Sequence, residues 1–138
     1  FEYYPTDDIS FEAIKQELDD YNKAKQIVFD KVFELERALT ERFKDEVMAH
    51  FVSNDGGSRL KGNIQHSPYL NLLESKGIIS KEVHRFLKAV RNAFSHNQYP
   101  HKKTMEIFVK EWNKSNFANQ IVNIYKQKIE EIIEIIKK

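Results

Sequence analysis

Residues 81–96 read KEVHRFLKAVRNAFSH, and they sort into an apolar stripe and a polar face when wound as an α-helix. With Val83 at zero and about 100° per residue, the apolar side chains fall between about 300° and 40°. This stripe comprises Val83, Phe86, Leu87, Val90 and Phe94. The polar face lies between about 80° and 220°. It comprises Lys81, His84, Arg85, Lys88, Arg91, Asn92, Ser95 and His96. Ser80 is a suitable N-cap, and Pro100 is expected to stop the helix, so the stretch predicts an amphipathic helix that packs on a core.

Apolar residues recur at spacings of three and four on both sides of this helix, which predicts further amphipathic helices. We expect a first helix, capped by Thr6 or Ser10, that runs toward Asp20, and a longer one from about Asn22 to Phe51. Short helices are expected from Tyr69 to Ser75, ended by Gly77, and from Thr104 to about Trp112. Ser115 is expected to cap the last helix, which carries Phe117, Ile121, Ile124, Ile129, Ile132, Ile133 and Ile136.

Length and composition favour one all-α domain over residues 1–138. The 138 residues are 41% hydrophobic and include only four Gly and three Pro, which suits a helical bundle of about five to six helices. Residues 53–68 contain the Gly-rich run NDGGSRLKGN and are expected to form a flexible loop.

The chain begins with Phe1, so we expect it to be part of a larger protein. With no cysteine, no signal peptide and no apolar run near 18 residues, we expect a cytoplasmic protein without a membrane span.

Positive charge is concentrated around the polar face. The whole chain has a net charge of +1, but residues 1–52 carry −6 and residues 81–103 carry +5. Such a concentration predicts a phosphate-binding surface. The residues expected to contact nucleic-acid phosphates are Lys81, Arg85, Lys88, Lys102 and Lys103.

The end of the helix pairs an arginine with a histidine, a combination suited to cutting RNA. RNA carries its own nucleophile, the ribose 2′-OH, so an enzyme needs mainly a proton carrier and a fixed cation beside the phosphate. Imidazole, with an unperturbed pKa of about 6.5, transfers protons near neutrality. Guanidinium stays charged and presents a planar fork of donors to phosphate oxygens. Arg91 and His96 are therefore candidate catalytic residues.

Arg91, the polar Asn92 and His96, after four intervening residues, resemble the R-x4-6-H signature of the HEPN superfamily of α-helical ribonucleases. The run Val90–Pro100, VRNAFSHNQYP, is similar to the C-terminal HEPN domain of type VI-B CRISPR RNA-guided RNA-targeting effectors. The resemblance implies metal-independent cleavage of single-stranded RNA without a cofactor. It also implies that Arg91 binds the scissile phosphate, that His96 is the general base or acid, and that Asn92 orients the histidine or a phosphate. The implied partners are a guide RNA, a target RNA and a second HEPN domain.

The spacing of the motif itself suggests that the site is shared. Residues five apart point about 140° away from each other around a regular helix, so Arg91 and His96 cannot meet one atom unless the helix end unwinds. In the family, two motifs face each other and form a composite site, either in cis or in a homodimer. Arg59 and His66 have the loosest acceptable spacing, but they fall in or just after the Gly-rich loop and are a weak second copy.

Two other functions fit the sequence. The chain is alternatively a stand-alone homodimeric HEPN toxin ribonuclease, or a non-catalytic helical interaction module in which the hexad RNAFSH is accidental.

Several further residues have simpler structural interpretations. His96 and His101 are poor metal ligands because Pro100 separates them and no carboxylate lies nearby, so no metal is expected. The remaining candidates are expected to be structural or solvent-exposed, and they are His50, His66, Trp112, Tyr99, Phe108, Glu130, Glu131 and Glu134.

Overall fold

The computed structural model describes residues 11–53 and 67–138. In chain order these contain α1 (Phe11–Arg42), α2 (Lys44–Ser53), α3 (Ser67–Ser75), α4 (Lys81–Ser95), α5 (Lys102–Glu106), a 3₁₀ turn (Lys114–Asn116), a π-helical segment (Phe117–Ile121) and α6 (Val122–Lys137). Six α-helices and no strand within the described ranges confirm the predicted all-α bundle. Most of the predicted loop, residues 54–66, lies outside the described residues. So do residues 1–10, which include the predicted caps Thr6 and Ser10. Residue 53 ends α2, and residues 67–68 begin α3.

The predicted boundary near Asp20 is wrong, because α1 is one continuous helix. No glycine or proline interrupts this region, Asp20 accepts a hydrogen bond from the Gln16 side chain at 2.9 Å, and Tyr21 is buried. The chain bends instead at Phe43, between α1 and α2. Backbone hydrogen bonds continue through that bend, from Phe43 to the Leu39 carbonyl at 2.7 Å and from Val47 to the Phe43 carbonyl at 2.9 Å.

The core forms where α1 packs against α6 and where α4 contacts both of these helices. The predicted stripe of α4 faces this core: Phe86, Leu87, Val90 and Phe94 are completely buried, and Val83 is half-buried. Burial of these large apolar side chains, at roughly 25 cal/mol per Å² of apolar surface, is the main force that holds α4 in place. The prediction that the stripe is buried is confirmed.

The ends of α4 are fixed by two different residues. At its start, the Ser80 hydroxyl accepts a hydrogen bond from the Val83 backbone N–H at 3.2 Å, which confirms the predicted cap. At its end, Asn97 has a left-handed φ of 54°, and Gln98 N–H donates to the Ala93 carbonyl at 2.7 Å. This is the Schellman arrangement, which asparagine tolerates better than most residues. The helix therefore ends before Asn97, and the prediction that Pro100 stops it is wrong.

The start of the last helix also differs from the prediction. Asn113, not Ser115, is the capping residue, and it caps the 3₁₀ turn that precedes α6. Its side chain accepts from the Asn116 backbone N–H at 3.1 Å, while the Asn116 side chain accepts from the Asn113 N–H at 2.9 Å. The π-helical segment then leads into α6. The short helix expected from Thr104 is shorter and earlier, at Lys102–Glu106. Gly77, with a φ of 75°, follows α3 as predicted.

Candidate active site

Two of the three candidate catalytic residues line one cavity at the end of α4. Asn92 is half-buried and His96 is exposed, and both border an open cavity of about 250 Å³. Its wall is completed by residues of α4, of the turn that follows it and of α5, namely Ala89, Ala93, Gln98, Tyr99, Pro100, His101 and Thr104. The cavity therefore brings an imidazole and an amide together at a solvent-facing surface, and His101 adds a second imidazole that sequence reasoning had considered only as a metal ligand.

Arg91 lies on the other flank of α4 and does not line this cavity. Its side chain is half-buried, and its Nε is enclosed without a hydrogen-bond partner among the described residues. The positive charge of Arg91 acts on the hydroxyl of Tyr125 in α6. Arg91 therefore does not face solvent fully, although it belongs to the polar face: it sits at the edge of the apolar stripe, and its Nε is buried.

The helix stays regular as far as His96, whose backbone N–H donates to the Asn92 carbonyl at 3.1 Å. No unwinding brings Arg91 and His96 together, so the separation of about 140° expected from their spacing persists. Within the described part of this chain, the arginine and the histidine face different directions. The arrangement offers two separate half-sites on one helix end.

One face of α1 holds the turn that carries His96. The Tyr21 hydroxyl donates to the Gln98 carbonyl at 2.8 Å and also lies 3.3 Å from the Ala93 carbonyl. One turn further along α1, the Lys25 Nζ donates to the Asn97 side chain at 3.2 Å. Burial raises the pKa of Tyr21 to about 12, so the phenol stays protonated and remains a donor near neutral pH.

Sequence reasoning missed Tyr21 as a support for the site. A signal was present, because Glu17, Tyr21 and Lys25 recur every four residues and must share one face of α1. Glu17 accepts a hydrogen bond from the Tyr99 hydroxyl at 3.0 Å, so all three residues of this face contact the turn or its end. The spacing does not indicate which segment of the chain this face contacts. That segment lies about 75 residues later in the chain.

The predicted RNA-contacting cations form a partly continuous surface. Lys81, Arg85 and Lys88, which we call the basic stripe, are exposed, follow one another at spacings of four and three, and form no ion pair with another described residue. Lys102 and Lys103 are also exposed, but Lys102 lies 3.6 Å from the Glu106 carboxylate. The basic stripe lies between Arg91 on one flank of α4 and His96 on the other. A polyanion bound along the stripe would therefore lie near both residues.

The aromatic residues that were expected to be structural or solvent-exposed pack within the protein. Trp112 is 8% exposed and meets the Phe117 ring edge-on at 6.3 Å, and Tyr99 meets the same ring at 5.4 Å. Phe108 is half-buried against Phe86, with 4.5 Å between the ring centres. These contacts agree with the structural interpretation of all three residues.

The remaining candidates pair with neighbouring side chains, are exposed, as Glu131 and Glu134 are, or lie outside the described residues. Glu130 forms an ion pair with Lys31 at 3.0 Å, and His84 of the polar face pairs with Glu74 at 2.8 Å. Across residues 11–53 and 67–138, no three His, Asp or Glu side chains cluster closely enough to hold a metal ion. None of the helices in the same ranges is both long and apolar enough to cross a membrane. The loop pair Arg59 and His66, and the side chain of His50, lie outside the described residues.

Comparison with known proteins gives no relative from which residue roles could be transferred. No protein-family model matches the chain, and neither a curated protein nor a solved structure is significantly similar to it. The function must be inferred from the chemistry of the chain itself.

Proposed function

We propose that this chain is an RNA endonuclease domain of the HEPN type that contributes one R-x4-H half of a composite active site in a type VI-B CRISPR effector. Its substrate is single-stranded RNA, cleaved by attack of the ribose 2′-OH on the adjacent phosphorus. The observation that carries the proposal is the exposed His96, which shares an open cavity with Asn92 at the end of a helix bearing the basic stripe. Arg91 and the resemblance of the surrounding run to HEPN domains support the same chemistry.

The proposed reaction needs one proton acceptor, one proton donor and a fixed cation. As the new O2′–P bond forms, a general base takes the 2′-OH proton, and the P–O5′ bond breaks while a general acid protonates the departing 5′ oxygen. The products are a 2′,3′-cyclic phosphate and a 5′-hydroxyl. His96 serves as base or acid, and the guanidinium of Arg91 stabilises the charge that develops on the phosphate oxygens. Asn92, beside His96 in the cavity, is suited to orient the imidazole or a phosphate.

The divergence of Arg91 and His96 requires a partner for this chemistry. One helix end supplies a cation on one flank and an imidazole on the other, and neither flank holds both groups. A second R-x4-H motif that faces this one would place its histidine near Arg91 and its arginine near His96. We propose that the second motif comes from the other HEPN domain of the effector, with a homodimer as the alternative.

The decisive experiment replaces Arg91 and His96 one at a time by alanine in the complete effector, with guide and target RNA bound. Both variants should lose RNA cleavage by at least about 10²-fold. Loss of general acid–base catalysis at His96 costs about 10² to 10⁴ in rate, and loss of the charge-stabilising donor at Arg91 costs about 10² to 10³. Binding of guide and target RNA should be nearly unchanged, because neither side chain belongs to the apolar stripe that holds α4.

A matched control is His101→Ala, which removes a second imidazole from the same cavity without touching the motif. Its cleavage rate should remain within about threefold of wild type, because the proposal gives His101 no proton-transfer role. Cleavage within about tenfold of wild type for His96→Ala would refute the proposed function. A loss for His101→Ala as large as that for His96→Ala would mean that the cavity, and not the motif, defines the catalytic groups.

A further inference from the structure

Two buried polar atoms, one on α4 and one on α6, have no hydrogen-bond partner among the described residues. Tyr125 of α6 is completely buried, and its hydroxyl has no hydrogen-bond partner in residues 11–53 and 67–138. The Nε of Arg91 in α4 is also buried, and it too lacks a partner within those ranges. Buried polar groups are nearly always hydrogen-bonded in folded proteins because an unmade bond is destabilising. Two such atoms, one of them in the predicted phosphate-binding residue Arg91, therefore need an explanation.

The two atoms have complementary chemistry. The guanidinium Nε–H is a donor only, whereas a phenolic oxygen accepts as well as donates. Burial raises the pKa of Tyr125, the charge of Arg91 opposes that increase, and the carboxylate of Glu36 in α1 adds to it. The charges of Arg91 and Glu36 therefore both act on the Tyr125 hydroxyl. The hydroxyl keeps its proton at neutral pH and offers its oxygen to the arginine.

We propose that Tyr125 is the positioning residue for Arg91: its buried hydroxyl accepts the Arg91 Nε–H when the guanidinium binds an RNA phosphate. This inference rests on the proposed function, since it assigns a support to the arginine of the motif. A hydrogen bond from Nε would fix the plane of the guanidinium and leave both terminal nitrogens to contact two phosphate oxygens. In this structure, which contains no RNA, the bond is not made.

An arginine suits this position better than another cation would. A lysine could place its charge near the phosphate, but its ammonium carries no second nitrogen that could remain in the core while the charge faces the substrate. The half-buried location of Arg91 is then a requirement of its function. Tyr125 touches neither substrate nor reacting atoms and acts only through the arginine.

The test compares Tyr125→Phe with wild type in the complete effector, with guide and target RNA bound. The maximal cleavage rate should fall by about tenfold or more, with little change in KM, because a misplaced guanidinium loses contacts made in the transition state. The thermal unfolding midpoint without RNA should stay the same or rise, because the substitution removes a buried hydroxyl that has no partner. A hydroxyl with a purely structural role would lower stability and activity together.

A second variant shows whether Tyr125 acts through the arginine. In an Arg91→Lys background, Tyr125→Phe should cause no further loss of cleavage, because no Nε–H remains to be held. Equal fold losses in the Arg91 and Arg91→Lys backgrounds would overturn the inference. An unfolding midpoint lowered by more than about 5 °C in Tyr125→Phe would overturn it too, since the hydroxyl would then already be bonded in the free protein.

Failure of the inference can be distinguished from failure of the proposed function by including Arg91→Ala. If Arg91→Ala abolishes cleavage while Tyr125→Phe stays within about twofold of wild type, the inference fails and the proposed function stands. If Arg91→Ala itself retains wild-type cleavage, the proposed function fails, and the role of Tyr125 fails with it.

Discussion

Asn97 determines where the backbone turns immediately after His96. Its φ of 54° is the one left-handed value at a non-glycine residue in the described part of the chain, and it reverses the chain so that the turn closes the wall of the cavity. For most L-residues this conformation costs about 1–2 kcal/mol, although asparagine adopts it more readily. The position of His96 therefore depends on a residue that carries no catalytic group.

Substitution of Asn97 tests this dependence. Asn97→Ala should lower the free energy of unfolding by about 1 kcal/mol, because alanine resists the left-handed conformation, and it should also slow cleavage by the effector. Asn97→Gly is the matched control, since both variants lose the side-chain contact with Lys25 but glycine keeps the turn. Denaturant unfolding and cleavage rates measure the difference. Equal stability of the two variants would show that the turn is held by other contacts.

The sequence predicted part of the site at the level of single residues. The helical spacing of Arg91 and His96 correctly indicated that they diverge, because the angle between two side chains on a regular helix depends only on their separation. It did not indicate that the Nε of Arg91 would be buried. That burial depends on which helix packs at the edge of the stripe, and the pattern of one helix does not contain this information.

At the level of elements, the buried support that α1 gives to the turn is the Tyr21 hydroxyl. Tyr21 donates to a carbonyl beyond the end of α4, and its ring packs 4.8 Å from that of Phe94. Tyr21→Phe keeps the ring and removes the donor. We expect a loss of about 1 kcal/mol in the free energy of unfolding and a several-fold lower cleavage rate, because the turn that follows His96 loses its tie to α1.

Lys25→Ala is the control for Tyr21→Phe, since it removes an exposed contact to the same turn from the same face of α1. Exposed contacts of this kind contribute between zero and about 1 kcal/mol, so its effect on stability should be smaller. Chemical denaturation and cleavage assays on both variants separate the two contacts. A larger effect for Lys25→Ala would assign the support of the turn to the lysine and not to the buried phenol.

Helices were predicted most reliably where the spacing of apolar residues and the capping residues indicated the same helix. Ser80 and the stripe of α4 fixed the start and orientation of that helix, and both were confirmed. The boundary near Asp20 was wrong because polar residues are tolerated on the exposed face of a helix that is held by buried neighbours. The cap at Asn113 was missed because Ser115, two residues later, has the same capping chemistry.

At the level of the whole molecule, one motif with diverging residues should be inactive by itself. The chain of 138 residues, isolated without a partner domain, should cleave RNA weakly or not at all. Any activity should rise with the square of protein concentration if two copies combine their flanks. Light scattering together with cleavage rates over a range of concentrations tests this prediction. A demonstrably monomeric chain whose rate per molecule is constant with concentration would exclude a composite site.

Binding of RNA by the whole molecule should depend on the basic stripe. Lys88 is the residue of the basic stripe closest in sequence to the motif, is exposed, and forms no ion pair with another described residue, so it is available to bind a phosphate. Lys88→Glu should weaken RNA association regardless of base sequence. It should also make the dependence of log affinity on log salt shallower, because each contact with a single-strand phosphate contributes about −0.7 to that slope.

Lys138→Glu makes the same change of charge just beyond the end of α6, far along the chain from the motif. Because both variants change the net charge by −2, a general electrostatic effect would alter the two slopes equally, whereas a local contact would alter only the slope of Lys88→Glu. RNA affinity should be measured for both variants and wild type at several salt concentrations in the complete effector. Identical slopes for all three proteins would mean that the basic stripe is only a solvated helix face and that RNA reaches His96 by another path.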